Sequence, residues 1–244
     1  MPWASSGRGV SSAAGQRVIE VVVVGEGQTE ETFVRDVLGP ACAISNILLD
    51  PRLIRTSPTG RGGALSYERV LRYLRNTLRQ RADTYVTTFF DLYVIRSDFP
   101  GYEEAQGQVD PLARAEAIEG RMHESVVREV ACRGDRFFAH IQPYEFEALL
   151  FSDVSRLVEI EPDWDGLETQ LSAVRTAALS PEHINDGVET HPAGRLMRIL
   201  RRPRYRKVLH GSRGALRIGL PRIHEECRHF AAWLAKLRGL RPLA

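Results

Sequence analysis

Four hydrophobic runs of strand length, separated by segments of helical periodicity, constrain the fold of this 244-residue chain more than any other feature. The first run, residues 18–24, is rich in valine and almost wholly apolar, as expected of a strand buried on both faces. The other strand-like runs lie at 47–54, 85–90 and 137–141, and the helical patterns between them at 30–38, 65–80 and 111–132. This βαβαβαβ order predicts an α/β fold with a mostly parallel sheet sandwiched by helices.

Local signals suggest where these elements begin and end. Thr29 is a good N-cap for the first helix, and Gly39-Pro40 is expected to end it. Pro51 is expected to interrupt the second strand, because proline cannot donate a ladder hydrogen bond.

Composition divides the chain into three parts. Residues 1–16 are rich in serine, glycine and alanine and are expected to form a disordered tail. Residues 17–152 form the α/β core, and 153–244 form a helical extension packed on it. Helical patterns after the fourth strand lie at 145–151, 167–179, 196–200 and 221–238. No run of about 18 apolar residues occurs, and three widely spaced cysteines form no disulfide framework, so we expect a cytoplasmic protein without a membrane span.

The net charge of +2 hides a strong asymmetry along the chain. Residues 195–241 carry fourteen lysines or arginines against two glutamates, so the preceding part is acidic overall. An acidic body of this kind could hold cations, and the basic end could hold phosphates.

Acidic residues stand directly after three of the four predicted strands. Glu26 follows the first strand, Asp91 ends the third, and Glu145 and Glu147 follow the fourth. Because sites in such sheets gather outside the carboxyl ends of the strands, we expect these side chains to converge. Carboxylates so close repel one another unless cations neutralise them, and oxygen ligands suit Mg²⁺ or Mn²⁺. Two such ions can activate water and stabilise the leaving oxygen in phosphodiester cleavage.

These residues resemble the motifs of Toprim domains, which occur in primases, topoisomerases and nucleases. The stretch Gly-Glu-Gly-Gln-Thr-Glu at 25–30 is similar to the first Toprim motif, and it includes Glu30 as a further metal ligand. Asp91 stands where Toprim domains have an Asp-x-Asp pair, but Tyr93 occupies the second position. The resemblance therefore implies either that Asp98 substitutes or that the second metal is lost.

The Glu-x-Glu pair at 145–147 is similar to the motif that ends the Toprim core of OLD-type nucleases. Over residues 18–237, the chain resembles a bacterial family of Toprim-like domains of unknown function, found beside ABC-type or AAA-like ATPases in anti-phage defence loci. The motifs that carry this resemblance lie at 26–30, 89–93, 99–101, 145–151, 185–190 and 205–211. The resemblance implies a Toprim-like Rossmannoid core and an ATPase partner. The family pattern has a lysine before Arg195, where this chain has Gly194.

The basic run at 195–207 is the strongest candidate for a contact with nucleic acid. Its candidate phosphate ligands are Arg195, Arg201, Arg204 and Lys207. The alternative is a solvated face or a surface for docking a partner. The glycine-rich stretch at 60–63 could cradle a phosphate, although a surface turn explains it better.

Three hypotheses account for these features. The leading one is a Mg²⁺- or Mn²⁺-dependent phosphodiesterase acting on DNA or RNA, with Glu26, Asp91 and Glu147 catalytic and Glu30 and Glu145 as added ligands. The second is a degenerate, non-catalytic subunit that binds or regulates an ATPase, which the missing second aspartate favours. The third is a nucleic-acid-binding module that is indifferent to metal. The sequence leaves the oligomeric state open.

Overall fold

A parallel sheet of five strands forms the centre of the computed structural model, which describes residues 17–54, 65–185 and 190–243. The strands are β1 (Ile19–Gly25), β2 (Ile47–Leu53), β3 (Tyr85–Asp91), β4 (Phe137–Phe138) and β5 (Ile141–Gln142). Their order is β2-β1-β3-β4, with β5 also paired to β3, and every pair is parallel. The predicted α/β fold is confirmed, although the fourth predicted strand is divided into two short ones.

Five helices precede β4 along the chain, and six follow β5. The helices of the first half are α1 (Gln28–Phe33), α2 (Gly39–Ala43), α3 (Tyr67–Gln80), α4 (Tyr102–Gln106) and α5 (Pro111–Val130). Those of the second half are α6 (Val154–Val158), α7 (Glu168–Thr176), α8 (Pro192–Ile199), α9 (Lys207–Ile218), α10 (Leu220–Glu226) and α11 (Arg228–Arg238). No helix of the described ranges is both long and apolar enough to cross a membrane.

The two faces of the sheet are covered by separate hydrophobic cores, and β1 contributes to both. Val21 and Val23 pack into a core that also contains Phe33 of α1. Val22 and Val24 pack into the other core, which holds the apolar faces of α3 and α5. Because successive strand residues point to opposite faces, a wholly apolar strand requires this two-sided cover.

The first helical segment differs from the prediction at both ends. It begins at Gln28, with Gly27 rather than Thr29 at the N-cap, and no side chain caps it. It also runs past Gly39 and Pro40, because a π-helical turn over Val34–Leu38 leads directly into α2. Pro40 is the second residue of α2, the helix that follows this π-helical turn directly.

Two further boundaries depend on tertiary context. The second strand continues through Pro51, because β2 is an edge strand and one missing donor is acceptable there. The segment predicted as a single helix over 221–238 is divided at Cys227 into α10 and α11. Helix α9 was not predicted.

The C-terminal helices pack on the sheet through the same core as the first helix. Ala215, Phe230 and Trp233 belong to the cluster that contains Phe33 and Phe89. The proposed boundary between 152 and 153 stays a prediction. Because of this packing, residues late in the chain reach the edge of the sheet.

Candidate functional site

Glu26 and Asp91 lie side by side at the carboxyl edge of the sheet. Strands β1 and β3 are direct neighbours, with Gly25 paired to Phe89, so the residues just beyond that pair are adjacent. The backbone N–H of Asp91 donates to Glu26 Oε1 at 3.3 Å. The convergence expected from the ends of the strands is therefore present for these two acids.

Glu145 and Glu147 reach the same place by a sharp turn after β5. Tyr144 adopts a left-handed backbone with a φ of 59°, which is uncommon for a residue with a side chain. The turn brings the N–H of Phe146 within 2.8 Å of Asp91 Oδ1, to which it donates. A 3₁₀ turn over Phe146–Ser152 comes next, in place of the predicted helix.

Glu30 completes the group from the first turn of α1. Its carboxylate lies so close to Gly27 that a Cβ there would be 2.6 Å from Glu30 Oε2. A side chain at position 27 would therefore displace the Glu30 carboxylate from its observed position. We call the five residues at this edge the acidic cluster: Glu26, Glu30, Asp91, Glu145 and Glu147.

Lys207, the first residue of α9, places its ammonium against two members of the acidic cluster. Its Nζ lies 3.4 Å from Glu145 Oε1 and 3.2 Å from Glu147 Oε2. Helix α9 approaches closely because Gly211 packs against Phe146, where a Cβ would be only 3.0 Å from the ring. The sequence indicated Lys207 as a phosphate ligand, and in this structure its contacts are carboxylates.

Other side chains hold the acidic cluster from outside. Glu145 Oε2 accepts the N–H of Ala193 at 2.9 Å and lies 3.1 Å from His191 Nδ1. The Tyr205 hydroxyl donates to Glu147 Oε1 at 3.5 Å. His191 and Tyr205 were not assigned to the site from the sequence. Two sequence features could have indicated them: His191 directly precedes a helix that begins with proline, and Tyr205 lies two residues before Lys207.

Burial and mutual repulsion raise the pKa values of Glu26, Glu30, Asp91 and Glu147. Burial, followed by the charge of Glu30, raises the pKa of Glu26 to about 8. Burial raises the pKa of Glu147 to about 7, although Lys207 opposes the change. Burial and then the charges of Glu30 and Glu26 raise the pKa of Asp91 well above its usual range. The acidic cluster therefore has more negative charge than its surroundings neutralise.

The donor set of the acidic cluster fits a hard divalent cation. It consists of carboxylate oxygens, the ligands that Mg²⁺ and Mn²⁺ prefer. Within the described residues, however, no three of these carboxylates contribute oxygens that all lie within 4.8 Å of one another. Because Lys207 contacts two of them, the side chains of Lys207 and of the carboxylates would have to rotate before an ion could bind.

Tyr93 stands where a second aspartate was expected, and its ring is 45% exposed. The ring packs near Tyr144 at a centroid distance of 6.0 Å and meets His191 edge-on at 5.8 Å. Asp98, the alternative second acid, accepts the N–H of Tyr67 at the start of α3, at 2.7 Å. Its observed contact is with a helix start rather than with the acidic cluster.

The candidate phosphate-binding arginines lie close together on the C-terminal part of the chain. Arg201 and Arg204 line a groove of about 550 Å³ together with Arg198, Met197 and Gly194. We call this the basic groove. Arg195 is oriented by a hydrogen bond from its Nε to the carbonyl of Thr190, at 2.7 Å. Gly194, where the resemblance led us to expect a lysine, is part of the basic groove. The glycine-rich stretch at 60–63 and residues 186–189 of the motif at 185–190 lie outside the described residues.

Fold and site together define an α/β protein with an acidic site at the carboxyl edge of a parallel sheet. The chain belongs to the family described as a domain of unknown function (DUF4276), whose model matches residues 25–238. No curated protein matches it. Its structure is similar to the C-terminal region of the OLD protein of Xanthomonas campestris pv. campestris, with a TM-score of 0.40 and 14% identity. That similarity covers 89% of this chain and 93% of the other.

Proposed function

We propose that the protein is a divalent-metal-dependent phosphodiesterase that cleaves DNA or RNA. The observation that carries the proposal is the acidic cluster, in which five largely buried carboxyl groups meet with Lys207 as the cation among their observed contacts. The raised pKa values of Glu26, Asp91 and Glu147 mean that the ionised cluster needs more positive charge than Lys207 supplies. Mg²⁺ or Mn²⁺ supplies that charge with the oxygen ligands these ions prefer.

In this proposal Glu26, Asp91 and Glu147 are the catalytic carboxylates. Glu30 and Glu145 complete the metal ligands. A bound ion supplies Lewis-acid chemistry, activating a water and stabilising the leaving oxygen. Glu26, the member of the cluster whose side chain is partly exposed, accepts the proton of the attacking water.

Basic side chains hold the nucleic-acid backbone in the same proposal. The phosphate next to the cleaved bond is held by Lys207, once an ion has replaced it among the carboxylates, and by Arg195. The exposed guanidinium groups of Arg201 and Arg204 in the basic groove contact neighbouring phosphates. Contacts of this kind position the backbone without reading its sequence.

Plasmid nicking by the purified chain tests the proposal. We expect cleavage in Mn²⁺ or Mg²⁺ and none in EDTA. Glu26→Gln and Asp91→Asn should each lower the rate by about 10²-fold or more, since each removes a ligand and a charge at the reacting centre. Glu103→Gln, at an exposed acid of α4, is the matched control and should cleave like the wild type. Equal cleavage by the wild type and both cluster variants would overturn the proposal.

A second candidate function is a non-catalytic subunit that binds and regulates an ABC- or AAA-type ATPase in a cytoplasmic anti-phage system. Two observations favour it: Tyr93 stands in place of a second aspartate, and Lys207 already pairs with Glu145 and Glu147. It predicts co-purification with an ATPase and no metal-dependent cleavage in any nucleotide state. Cleavage that depends on Glu26 and Asp91 would exclude it.

A further inference from the structure

A second group of metal-ligating side chains lies in a cleft that contains no residue of the acidic cluster. The cleft has a volume of about 850 Å³ and is lined by residues of α5, of the β4–β5 segment and of α11. Three of the lining residues form one group: Glu119 from α5, His140 from between the two strands, and His229 from α11. We call these three residues the histidine cluster.

The ligating atoms of the histidine cluster already lie together. Glu119 Oε1 is 2.8 Å from His229 Nε2 and 3.5 Å from His140 Nδ1. One such atom from each residue lies within 4.8 Å of the others. The two imidazole rings are stacked, with centroids 5.1 Å apart. Small side-chain adjustments therefore suffice to bring all three atoms to one ion.

Contacts with neighbouring residues fix the positions of these three residues. The ring of Trp233 stacks on His140 at a centroid distance of 4.6 Å. The N–H of Ile141 donates to Glu119 Oε1 at 2.7 Å. Glu182 accepts the N–H of His229 at 2.9 Å and so fixes the start of α11. Ligands oriented in this way are typical of protein metal sites, in which surrounding groups set ligand geometry.

A second, independent observation concerns the other nitrogen of His140. His140 is 1% exposed, and its Nε2 makes no hydrogen bond of ordinary geometry among the described residues. Both amide atoms of the neighbouring Gln142 are also without such a partner, and Gln142 lies close enough to influence His140. With an ion on Nδ1, the proton of His140 is fixed on Nε2, where the Gln142 carbonyl oxygen can accept it.

A simple ion pair does not account for the arrangement. An ion pair between Glu119 and His229 needs one charge from each residue and does not require His140, whose Nδ1 lies 3.5 Å from the same carboxylate oxygen. Two imidazoles and one carboxylate suit a zinc-class ion rather than Mg²⁺, which prefers oxygen ligands.

We propose that Glu119, His140 and His229 form a binding site for a zinc-class divalent ion. Three protein ligands leave a fourth position for water or for a molecule that enters the cleft. Such an ion joins α11 to α5 and to the β4–β5 segment, and so holds the C-terminal helix on the sheet. The site is independent of the phosphodiesterase proposal, because it shares no residue with the acidic cluster.

Zinc binding tests the proposal in the full-length Glu26→Gln/Asp91→Asn double variant, in which the acidic cluster is disabled. We expect one Zn²⁺ per chain, with two imidazoles in its X-ray absorption spectrum, and Co²⁺ should give the visible bands of a low-symmetry site. His140→Ala and His229→Ala should each weaken Zn²⁺ binding at least about tenfold. His123→Ala is the matched control, because His123 lines the same cleft but bonds the carbonyl of Phe137.

His229→Gln keeps the proposal testable if the alanine variants do not fold. A glutamine amide can still donate to Glu119, so the variant should fold, yet it should lose Zn²⁺ as the alanine variants do. Absence of bound Zn²⁺, a spectrum without imidazole ligands, or unchanged affinity in folded His229→Gln would each overturn the proposal.

Discussion

Buried carboxyl groups of the acidic cluster and of the histidine cluster have pKa values shifted in opposite directions. In the acidic cluster burial and like charges dominate, and the pKa of Glu26 rises to about 8. In the histidine cluster, burial of Glu119 is outweighed by hydrogen bonds from His140 and His229, and its pKa falls to about 2. Lys207 offsets only part of the negative charge of the acidic cluster, whereas two histidines face the one carboxylate of the histidine cluster. The two clusters should therefore respond differently to ions, to pH and to mutation.

The largest effect is expected from Glu119→Gln, which tests the histidine cluster. In the metal-free protein the change removes the carboxylate that pairs with the buried side chain of His229, so we expect the free energy of unfolding to fall by about 3 kcal/mol at neutral pH. Urea unfolding measures this loss, and Mg²⁺ should not restore it. Glu116→Gln, at an acid that is 67% exposed and 4.0 Å from His229 Nδ1, should lose almost nothing. Equal losses in the two variants would contradict the account.

Lys207→Met tests the acidic cluster, in which negative charge exceeds positive charge. Removing the ammonium leaves Glu145 and Glu147 unpaired, and because the lysine side chain is 37% exposed we expect a loss of about 1–2 kcal/mol. Millimolar Mg²⁺ or Mn²⁺ should restore the free energy of unfolding, since the ion replaces the missing charge. Lys236→Met, at the other lysine of the chain, is the control. A loss that these ions do not restore would argue against an ion site here.

The pH dependence of stability should also separate the two clusters. Glu26 and Glu147 have folded-state pKa values of about 8 and about 7, above the unfolded value of 4.5, so the folded state holds more protons between these values. Their contribution to stability is complete below pH 4.5 and is lost as the pH rises toward 8. Glu119, with a lowered pKa, contributes above pH 4.5 and loses its contribution as the pH falls toward 2.

Urea unfolding at a series of pH values measures both trends. Without divalent ions, we expect the wild type to lose stability from about pH 5 to pH 8, and Glu26→Gln to lose less. Mn²⁺ should flatten the wild-type curve, because it binds the ionised cluster. A wild-type curve that does not fall over this range, or that Glu26→Gln leaves unchanged, would contradict the charge deficit.

The smallest effects are expected in the basic groove, which lies outside both clusters. Arg201→Ala and Arg204→Ala should each weaken nucleic-acid binding, and by the same factor for every nucleic-acid sequence. Each should also reduce the steepness of the plot of log binding constant against log salt concentration by about 1. Fluorescence anisotropy at several salt concentrations measures this. Arg121→Ala, at an exposed arginine paired with Glu104 and Glu124, is the control. Unchanged slopes in both groove variants would remove the groove from the proposed function.

The sequence was most informative where structure is local or set by parallel-sheet geometry. Valine-rich β1 and the acids at the ends of β1 and β3 could be predicted, because the carboxyl ends of neighbouring strands must meet at one edge. Helix α9 could not, since Gly211 and Gly214 lower its helical propensity and are present because the helix packs closely. The position of Lys207 depends on that helix and was missed with it.

The histidine cluster shows the other limit of sequence reasoning. Glu119 and His229 are 110 residues apart, and neither they nor His140 form a local metal-binding motif. They meet because α11 returns to the sheet beside α5, which is a consequence of packing rather than of spacing. Tyr93 likewise departs from the expected motif, and its contacts with Tyr144 and His191 emerge only from the folded chain.

Mn²⁺ binding tests most directly whether the carboxylates at the edge of the sheet hold an ion. The measurement uses the His229→Gln variant, in which the histidine cluster is disabled, and follows the loss of the electron paramagnetic resonance signal of free Mn²⁺. The account predicts saturable binding that Asp91→Asn or Glu147→Gln weakens at least about tenfold and that Glu103→Gln leaves unchanged. No binding, or the same affinity in all four proteins, would contradict it.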